Sequence, residues 1–115
     1  MWKKGRQGTG YELITLIRKG FSFYKLAGFD LHIIRYNDGD FIPPHKDEVD
    51  GKQHYRFNFI LKKPKSGGEF ACETYFKFWR LIFFRPDLYT HSVSKCVGSR
   101  IVLSFGFCLQ MKVVN

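Results

Sequence analysis

Two histidines and one aspartate have the residue types and the spacing of a metal site. His45 and Asp47 stand two residues apart, and residues two apart on a strand point to the same side of it. His91 lies in a later segment that also has strand character, and it can supply a third ligand. Two histidines and one carboxylate on one face of an ion are typical of non-haem Fe(II) sites. The sequence therefore predicts an iron site, and the catalytic centre, at His45, Asp47 and His91.

A cation follows the third candidate ligand. Arg100 opens a strongly β-like run, and Ser104 lies on the same face of that strand. The planar guanidinium of arginine pairs a carboxylate through two parallel hydrogen bonds. A buried arginine requires an acidic companion, because a buried unpaired charge is costly. Arg100 is therefore a candidate for binding the far carboxylate of a dicarboxylate co-substrate.

These residues belong to a longer ordered pattern. Its members are Tyr36, Gly39, His45, Asp47, Gly67-Gly68-Glu69, Phe84-Arg85-Pro86, His91, Gly98, Arg100 and Ser104. The pattern resembles the Fe(II)- and 2-oxoglutarate-dependent oxygenase superfamily, and within it the prolyl-hydroxylase-like branch with its small bacteriophage members. The resemblance covers about residues 30–109, which we expect to form the catalytic core of a single domain spanning residues 1–115.

The resemblance implies an activity and a set of co-substrate contacts. The protein would be a dioxygenase that uses Fe(II), O2 and 2-oxoglutarate to hydroxylate a C–H bond, with succinate and carbon dioxide as co-products. Arg100 and Ser104 match residues that bind the far carboxylate of 2-oxoglutarate, and Tyr36 matches a tyrosine whose hydroxyl reaches it. We also expect Asn58 to line this pocket. The retained carboxylate ligand favours hydroxylation over halogenation.

One position departs from a related branch. Nucleic-acid-demethylating relatives usually carry a second arginine six residues after the first, and this chain has Gly106 there. The prime substrate remains open among a peptidyl proline, a nucleobase, a free amino acid and another small molecule. Two other classes of function also remain open: a cupin-like binding module without turnover, and a basic β-barrel that binds nucleic acid without chemistry.

Short β-strands must position these residues. About eight strands with Gly and Pro turns between them predict a sandwich or barrel, and the resemblance makes it a double-stranded β-helix, the jelly-roll or cupin-like fold. The predicted strands are 31–36, a segment through His45, 55–61, 69–73, 78–84, a segment through His91, 100–108 and roughly 110–114. Little chain is left for buttressing helices, so we expect a partner or self-association, such as a homo-oligomer, to support the fold.

The N-terminal region permits two interpretations. Thr9 and Glu12 fit a helix capping box. Residues 11–17, however, are rich in β-branched and aromatic types, and Gly20 would cut a helix short. We predict strands that extend the main sheet.

Composition indicates the class of chain and its expected location. Apolar residues make up 44% and aromatic residues 18% of the 115, which indicates a globular chain, and we expect Trp79 in the core. Three cysteines without metal-site spacing suggest reduced thiols and a cytoplasmic location. No apolar run approaches the roughly 20 residues of a membrane span, so we expect no membrane insertion.

Charge suggests one further partner. The net charge of +9 favours a polyanion if the cations cluster, and otherwise gives a solvated basic surface. We expect any nucleic-acid contact to be weak and to involve Lys3, Lys4, Arg6 and the Lys62–Lys65 loop.

Overall fold

Every regular element of the structure is a β-strand. The computed structural model describes residues 2–5, 9–23, 26–47 and 52–110, and these ranges contain no helix. The strands are β1 (Lys3–Lys4), β2 (Glu12–Phe23), β3 (Leu26–Tyr36), β4 (Ile42–His45), β5 (Lys52–Lys62), β6 (Ser66–Gly67), β7 (Phe70–Cys72), β8 (Tyr75–Phe78), β9 (Leu81–Phe84), β10 (His91–Val93), β11 (Cys96–Val97) and β12 (Arg100–Gln110). The mainly β class predicted from the sequence is confirmed.

The strands form one large antiparallel sheet and two small ones. The large sheet has seven strands in the order β1-β2-β3-β12-β5-β9-β8, the second sheet has the order β4-β10-β7, and β11 pairs with β6. Along β12 the even-numbered residues from Arg100 to Gly106 are buried, whereas the odd-numbered residues are more exposed. This alternation defines an inner face of the large sheet, which the second sheet covers, and an outer face.

The apolar core lies between the two larger sheets. The inner face contributes Tyr36 and Val102, and Val93 of β10 packs against them together with Tyr11 and Cys96. Four further apolar side chains surround this cluster: Ile34, Ile42, Ile60 and Phe70. This core is small, and it joins the two sheets close to the candidate ligands.

The N-terminal region extends the large sheet, as predicted. β2 pairs with β3 along most of its length. Glu12 does not cap a helix, because its carboxylate accepts a hydrogen bond from Arg35 at 2.8 Å and lies 3.7 Å from Lys4. The Thr9 hydroxyl donates to the Phe41 carbonyl. Partners distant in sequence or on neighbouring strands therefore engage both capping-box side chains.

The predicted strand over 78–84 is wrong, because the chain turns back within it. β8 and β9 form a hairpin whose turn contains Trp79 and Arg80. Trp79 has a φ of 57°, in the left-handed region that few residues other than glycine adopt. Its side chain is 71% exposed, so the prediction that Trp79 lies in the core is also wrong.

The last strand runs further than predicted. β12 continues to Gln110 rather than ending at 108, with its partners on β3 and β5 on either side. The predicted strand at 110–114 lies almost entirely outside the described residues, as does Arg6. The described chain contains no helix with the length and apolarity needed to cross a membrane.

Candidate active site

Neighbouring strands bring the three predicted ligands together. His45 ends β4 and is the direct cross-strand partner of His91, the first residue of β10. β4 contains Pro43 and Pro44, which a strand at a sheet edge tolerates, and it lies at the edge of its sheet. Asp47 follows two residues later, and its backbone N–H donates to the Pro86 carbonyl at 2.8 Å.

The ligand atoms of these residues converge on one point. His45 Nε2 lies 3.4 Å from one carboxylate oxygen of Asp47, and His91 Nε2 lies 3.4 Å from the other. The two imidazole ring centroids are 4.4 Å apart. All three ligand atoms lie within 4.8 Å of one another, the spacing of donors around a single ion.

Backbone carbonyls orient both imidazoles. His45 Nδ1 lies 2.8 Å from the Pro43 carbonyl oxygen, and His91 Nδ1 lies 3.1 Å from the Tyr89 carbonyl oxygen. A carbonyl oxygen only accepts hydrogen bonds, so each Nδ1 must carry the proton. In the neutral imidazole each Nε2 then presents a lone pair towards Asp47. Such a hydrogen bond at the other ring nitrogen is the usual way a protein orients a metal-binding histidine.

The donor set fits a divalent metal ion. Two imidazole lone pairs and an ionised carboxylate are all acceptors, and acceptors that face each other repel unless a cation lies between them. Nitrogen and oxygen donors in a two-to-one ratio suit Fe(II) and similar ions. His91 is buried against the ring of Phe84, with ring centroids 5.1 Å apart, which shields this side of the group from water.

Arg100 is buried and has no carboxylate partner within the described chain. It is 2% exposed, and none of the ion pairs among the described residues includes it. Its guanidinium lies 4.7 Å from the ring centroid of Tyr36, the residue opposite it on β3. Burial raises the pKa of Tyr36 to about 12, and Arg100 offsets this only in part, so Tyr36 remains a neutral phenol. The buried arginine therefore needs an anion from elsewhere.

A cavity of about 340 Å³ opens beside Arg100. Its lining residues are Ile60, Lys63, Pro64, Gly67, Gly68, Glu69, Phe70, Tyr75, Lys77, Ile82 and Arg100. Three cations against one carboxylate make this cavity attractive to an anion. Phe70 also lies next to the metal-ligand group, because its ring centroid is 6.4 Å from that of His91. The cavity and the candidate metal site therefore share a wall.

Ser104 and Asn58 lie on the inner face as predicted, but each has another partner. The Ser104 hydroxyl donates to Asn58 Oδ1 at 2.6 Å and accepts from Arg56 Nη1 at 2.6 Å. Neither residue lines the cavity beside Arg100. Of the four predicted co-substrate contacts, the structure brings Tyr36 and Arg100 together and places Ser104 and Asn58 in a separate network.

Arg56 and Asp30 are the central residues of that network, and the sequence reading did not identify them. Arg56 Nη2 donates to Asp30 Oδ1 at 2.6 Å, and His32 Nε2 lies 3.0 Å from the same oxygen. Partial burial raises the pKa of Asp30, but the hydrogen bond to His32 and the positive charge of Arg56 outweigh it and lower the pKa to about 2. A side chain at Gly106 would collide with the Arg56 guanidinium. A guanidinium from β5 thus occupies the space next to Gly106.

None of the three cysteines forms a disulfide bond, and all three are free thiols.

Two of the predicted basic residues lie in one row of the large sheet. Cross-strand pairing puts in that row Lys4, Glu12, Arg35, Ile101 and Lys62. Lys4 and Lys62 are both exposed and lie at the same end of that sheet. Four strand spacings, about 19 Å, therefore separate the predicted nucleic-acid contact at Lys4 from the one at Lys62.

The fold is that of prolyl hydroxylases of known structure. A prolyl-4-hydroxylase from Pseudomonas putida matches with a TM-score of 0.70 at 15% identity, over 96% of this chain and 78% of that one. The viral collagen prolyl hydroxylase of Paramecium bursaria Chlorella virus-1, in complex with 2-oxoglutarate, matches with a TM-score of 0.63 at 15% identity, over 93% and 83% of the two chains. KdgF from Halomonas sp. matches with a TM-score of 0.62 at 12% identity, over 93% and 84%.

These likenesses identify the architecture as a double-stranded β-helix and confirm the predicted prolyl-hydroxylase-like fold. No protein-family model matches the sequence, and no curated protein shows significant sequence similarity to it. Fold and site together define a double-stranded β-helix protein in which His45, Asp47 and His91 have the spacing of metal ligands.

Proposed function

We propose that this chain is an Fe(II)- and 2-oxoglutarate-dependent dioxygenase that hydroxylates a C–H bond of its substrate. The observation that supports this most is the combination of three converging acceptor atoms with a neighbouring cavity lined by a buried arginine that pairs with no carboxylate of the described residues. A generic metal-binding barrel has no need of that arginine. The resemblance in fold to two prolyl hydroxylases, one of them bound to 2-oxoglutarate, agrees with this reading.

Each side chain has a defined task in this proposal. His45, Asp47 and His91 would hold Fe(II), and Arg100 would pair with the far carboxylate of 2-oxoglutarate beside the Tyr36 phenol. When bound, the metal and co-substrate supply the activation of O2, one oxygen atom going to the substrate hydroxyl and the other to succinate as carbon dioxide is lost.

The surrounding residues keep the site dry and ordered. The carbonyl bonds to each Nδ1 hold the imidazoles in the tautomer that can bind the ion, and no reorganisation is needed when it arrives. Phe70 and Phe84 form apolar walls next to His91. Exclusion of water strengthens the electrostatic attraction between Arg100 and a bound carboxylate.

Metal binding and co-substrate turnover test the proposal in sequence. Mn(II) or Fe(II) should bind the parent chain at one ion per chain, and His45→Ala, Asp47→Ala and His91→Ala should each abolish that binding. His32→Gln is the matched control, because His32 is also a buried histidine beside a carboxylate but lies outside the group. The proposal fails if all three ligand variants bind the ion as tightly as the parent.

Turnover separates the enzyme from the cupin-like binding module. The iron-loaded chain should release succinate from 2-oxoglutarate in the presence of O2, and a mass-spectrometric screen of peptides, nucleotides and metabolites should reveal a product that has gained one oxygen atom. Tight metal binding without any consumption of 2-oxoglutarate would favour the binding module instead.

A further inference from the structure

The middle of the outer face of the large sheet is apolar, between a row that contains Glu12 and Arg35 and a row that begins at Lys19. Cross-strand pairing arranges its side chains in two rows that run across six strands, from β2 to β8. The first row is Ile14, Ile33, Leu103, Phe59, Leu81 and Phe78; the second row is Ile17, Leu31, Phe105, Phe57, Phe83 and Phe76. We call these twelve residues the outer apolar face. None of them is charged.

The described chain does not cover this face. The second sheet packs on the inner side, where its residues join the core cluster, and the described ranges contain no helix. Phe76 is 63% exposed, Phe78 is 68% exposed and Phe105, near the middle of the second row, is 37% exposed. The rings contact one another within the face, as Phe57 and Phe83 do at a centroid distance of 4.5 Å. Contiguous apolar patches of this size mark interaction sites.

The dimensions of the face match those of a dimer interface. Six strands at about 4.8 Å spacing extend over about 24 Å. A third row contains Phe29, Phe107 and Tyr55, with Lys19 at its edge, and brings the flat area to on the order of 500–600 Å². Stable complexes bury from about 600 Å² per partner upward, with aromatic residues enriched and charged residues depleted at the centre.

We propose that the outer apolar face is a homodimer interface, in which a second copy of the chain packs the same face against it. A single helix is only about 10 Å wide and would leave more than half of the 24 Å span uncovered. A second sheet packed face to face at about 10 Å covers the whole span. Because both rows are apolar from end to end, a two-fold axis through the face places apolar residues on apolar residues without burying a charge.

The candidate metal ligands lie on the second sheet and its adjoining loop, on the opposite side of the large sheet. The dimer therefore leaves the active site open. It also has a characteristic response to salt. Each copy carries a net charge of +9, so the copies repel at long range, and added salt should strengthen the dimer by screening this repulsion. Binding of an acidic partner would instead weaken with salt.

Sedimentation velocity of the full chain tests the interface directly. The parent should sediment at twice the 13.6 kDa of one chain and dissociate on dilution. Phe105→Lys, which places a charge at the centre of the face, should weaken the dimer by about thirtyfold or more. Leu88→Lys and Val97→Lys are matched controls, because both residues are exposed apolar side chains outside the face, and they should leave the dimer intact. Circular dichroism and Mn(II) binding identify variants that remain folded.

Hydroxyl-radical labelling of the parent provides a readout that no variant's folding affects. Oxidation of Phe76 and Phe105 should fall as the chain concentration rises, whereas oxidation of Leu88 and Val97 should not change. A parent that stays monomeric at all concentrations overturns the proposal. So does a dimer that a folded Phe105→Lys chain retains, association that weakens with salt, or assembly beyond the dimer into open aggregates.

Discussion

Replacement of Arg100 by methionine separates a co-substrate site from a structural arginine. Methionine keeps much of the length of the side chain and removes the charge. Arg100 is 2% exposed and pairs with no carboxylate of the described residues, so an anionic ligand would supply the partner that this part of the chain does not. Removing one member of a buried charge pair costs about 3–5 kcal/mol. We therefore expect the affinity for 2-oxoglutarate to fall roughly 140- to 3700-fold at 1.4 kcal/mol per tenfold.

The same substitution should not destabilise the protein without 2-oxoglutarate. A buried cation without a partner lowers stability, and its replacement by an apolar group of similar size is neutral or stabilising. The control is Arg56→Met, because Arg56 also points inward but is paired with Asp30 and Ser104. Arg56→Met should lower the free energy of unfolding by about 1–2 kcal/mol, since Asp30 is partly exposed and keeps only its contact with His32.

Two assays measure these opposite effects. Titration of 2-oxoglutarate into the anaerobic Fe(II) protein gives the affinity through the metal-to-ligand charge-transfer band, and denaturant unfolding of the protein without co-substrate gives the stability. Arg100→Lys should bind with intermediate affinity, because lysine keeps the charge but not the planar fork. The reasoning is refuted if Arg100→Met binds 2-oxoglutarate like the parent, or if it destabilises the chain as much as Arg56→Met does.

Three further predictions concern the network and the surface. The pKa of Asp30 is about 2, below its ordinary value of 3.8, so the interactions of its carboxylate stabilise the fold fully above pH 3.8. This contribution, about 1–2 kcal/mol after allowance for partial exposure, is lost as the pH falls towards 2. Asp30→Asn should therefore flatten the fall in the free energy of unfolding at acid pH. Ser104→Ala should lower the free energy of unfolding by about 1–3 kcal/mol through the buried partners it leaves unsatisfied, and an effect on 2-oxoglutarate affinity alone would contradict this. Single-stranded nucleic acid should bind weakly through the end of the sheet that carries Lys4 and Lys62, with affinity that falls steeply with salt, and binding indifferent to salt would exclude this contact.

The sequence was sufficient for residues whose chemistry is carried by local spacing. The two-residue separation of His45 and Asp47, with a third ligand on a later strand, predicted a group that the structure brings within 4.8 Å. The alternation along β5 and β12 likewise predicted which residues share a face. The alternation follows from the two-residue period of a strand, which no tertiary contact is needed to establish. The expectation that His45 and Asp47 share a strand is wrong, because Asp47 lies beyond the end of β4, and the backbone bond to Pro86 places it.

Residues whose role depends on strand pairing could not be read in this way. The alternation placed Arg56 on the same face as Asn58, but its partner Asp30 lies on β3, and β12 separates the two strands. Only the register of three strands reveals that Arg56 reaches Asp30 across Gly106. Trp79 was misread for a related reason, because its hairpin turn has a left-handed φ at a residue that carries none of the usual Gly, Asn or Asp turn signals.

The two faces of the large sheet differ in polarity. The inner face is partly polar, because it carries Arg100 and the Arg56 network as well as the small apolar core, and the function proposed above would require this polarity. The apolar area that a chain of this length needs for stability is therefore found to a large extent on the outer face, where twelve uncharged side chains remain partly exposed. If a second copy covers that face, folding and association are linked, and the melting temperature should rise with chain concentration. The bound metal ion and co-substrate should then raise the stability by filling the polar side of the same sheet, in addition to the gain from association.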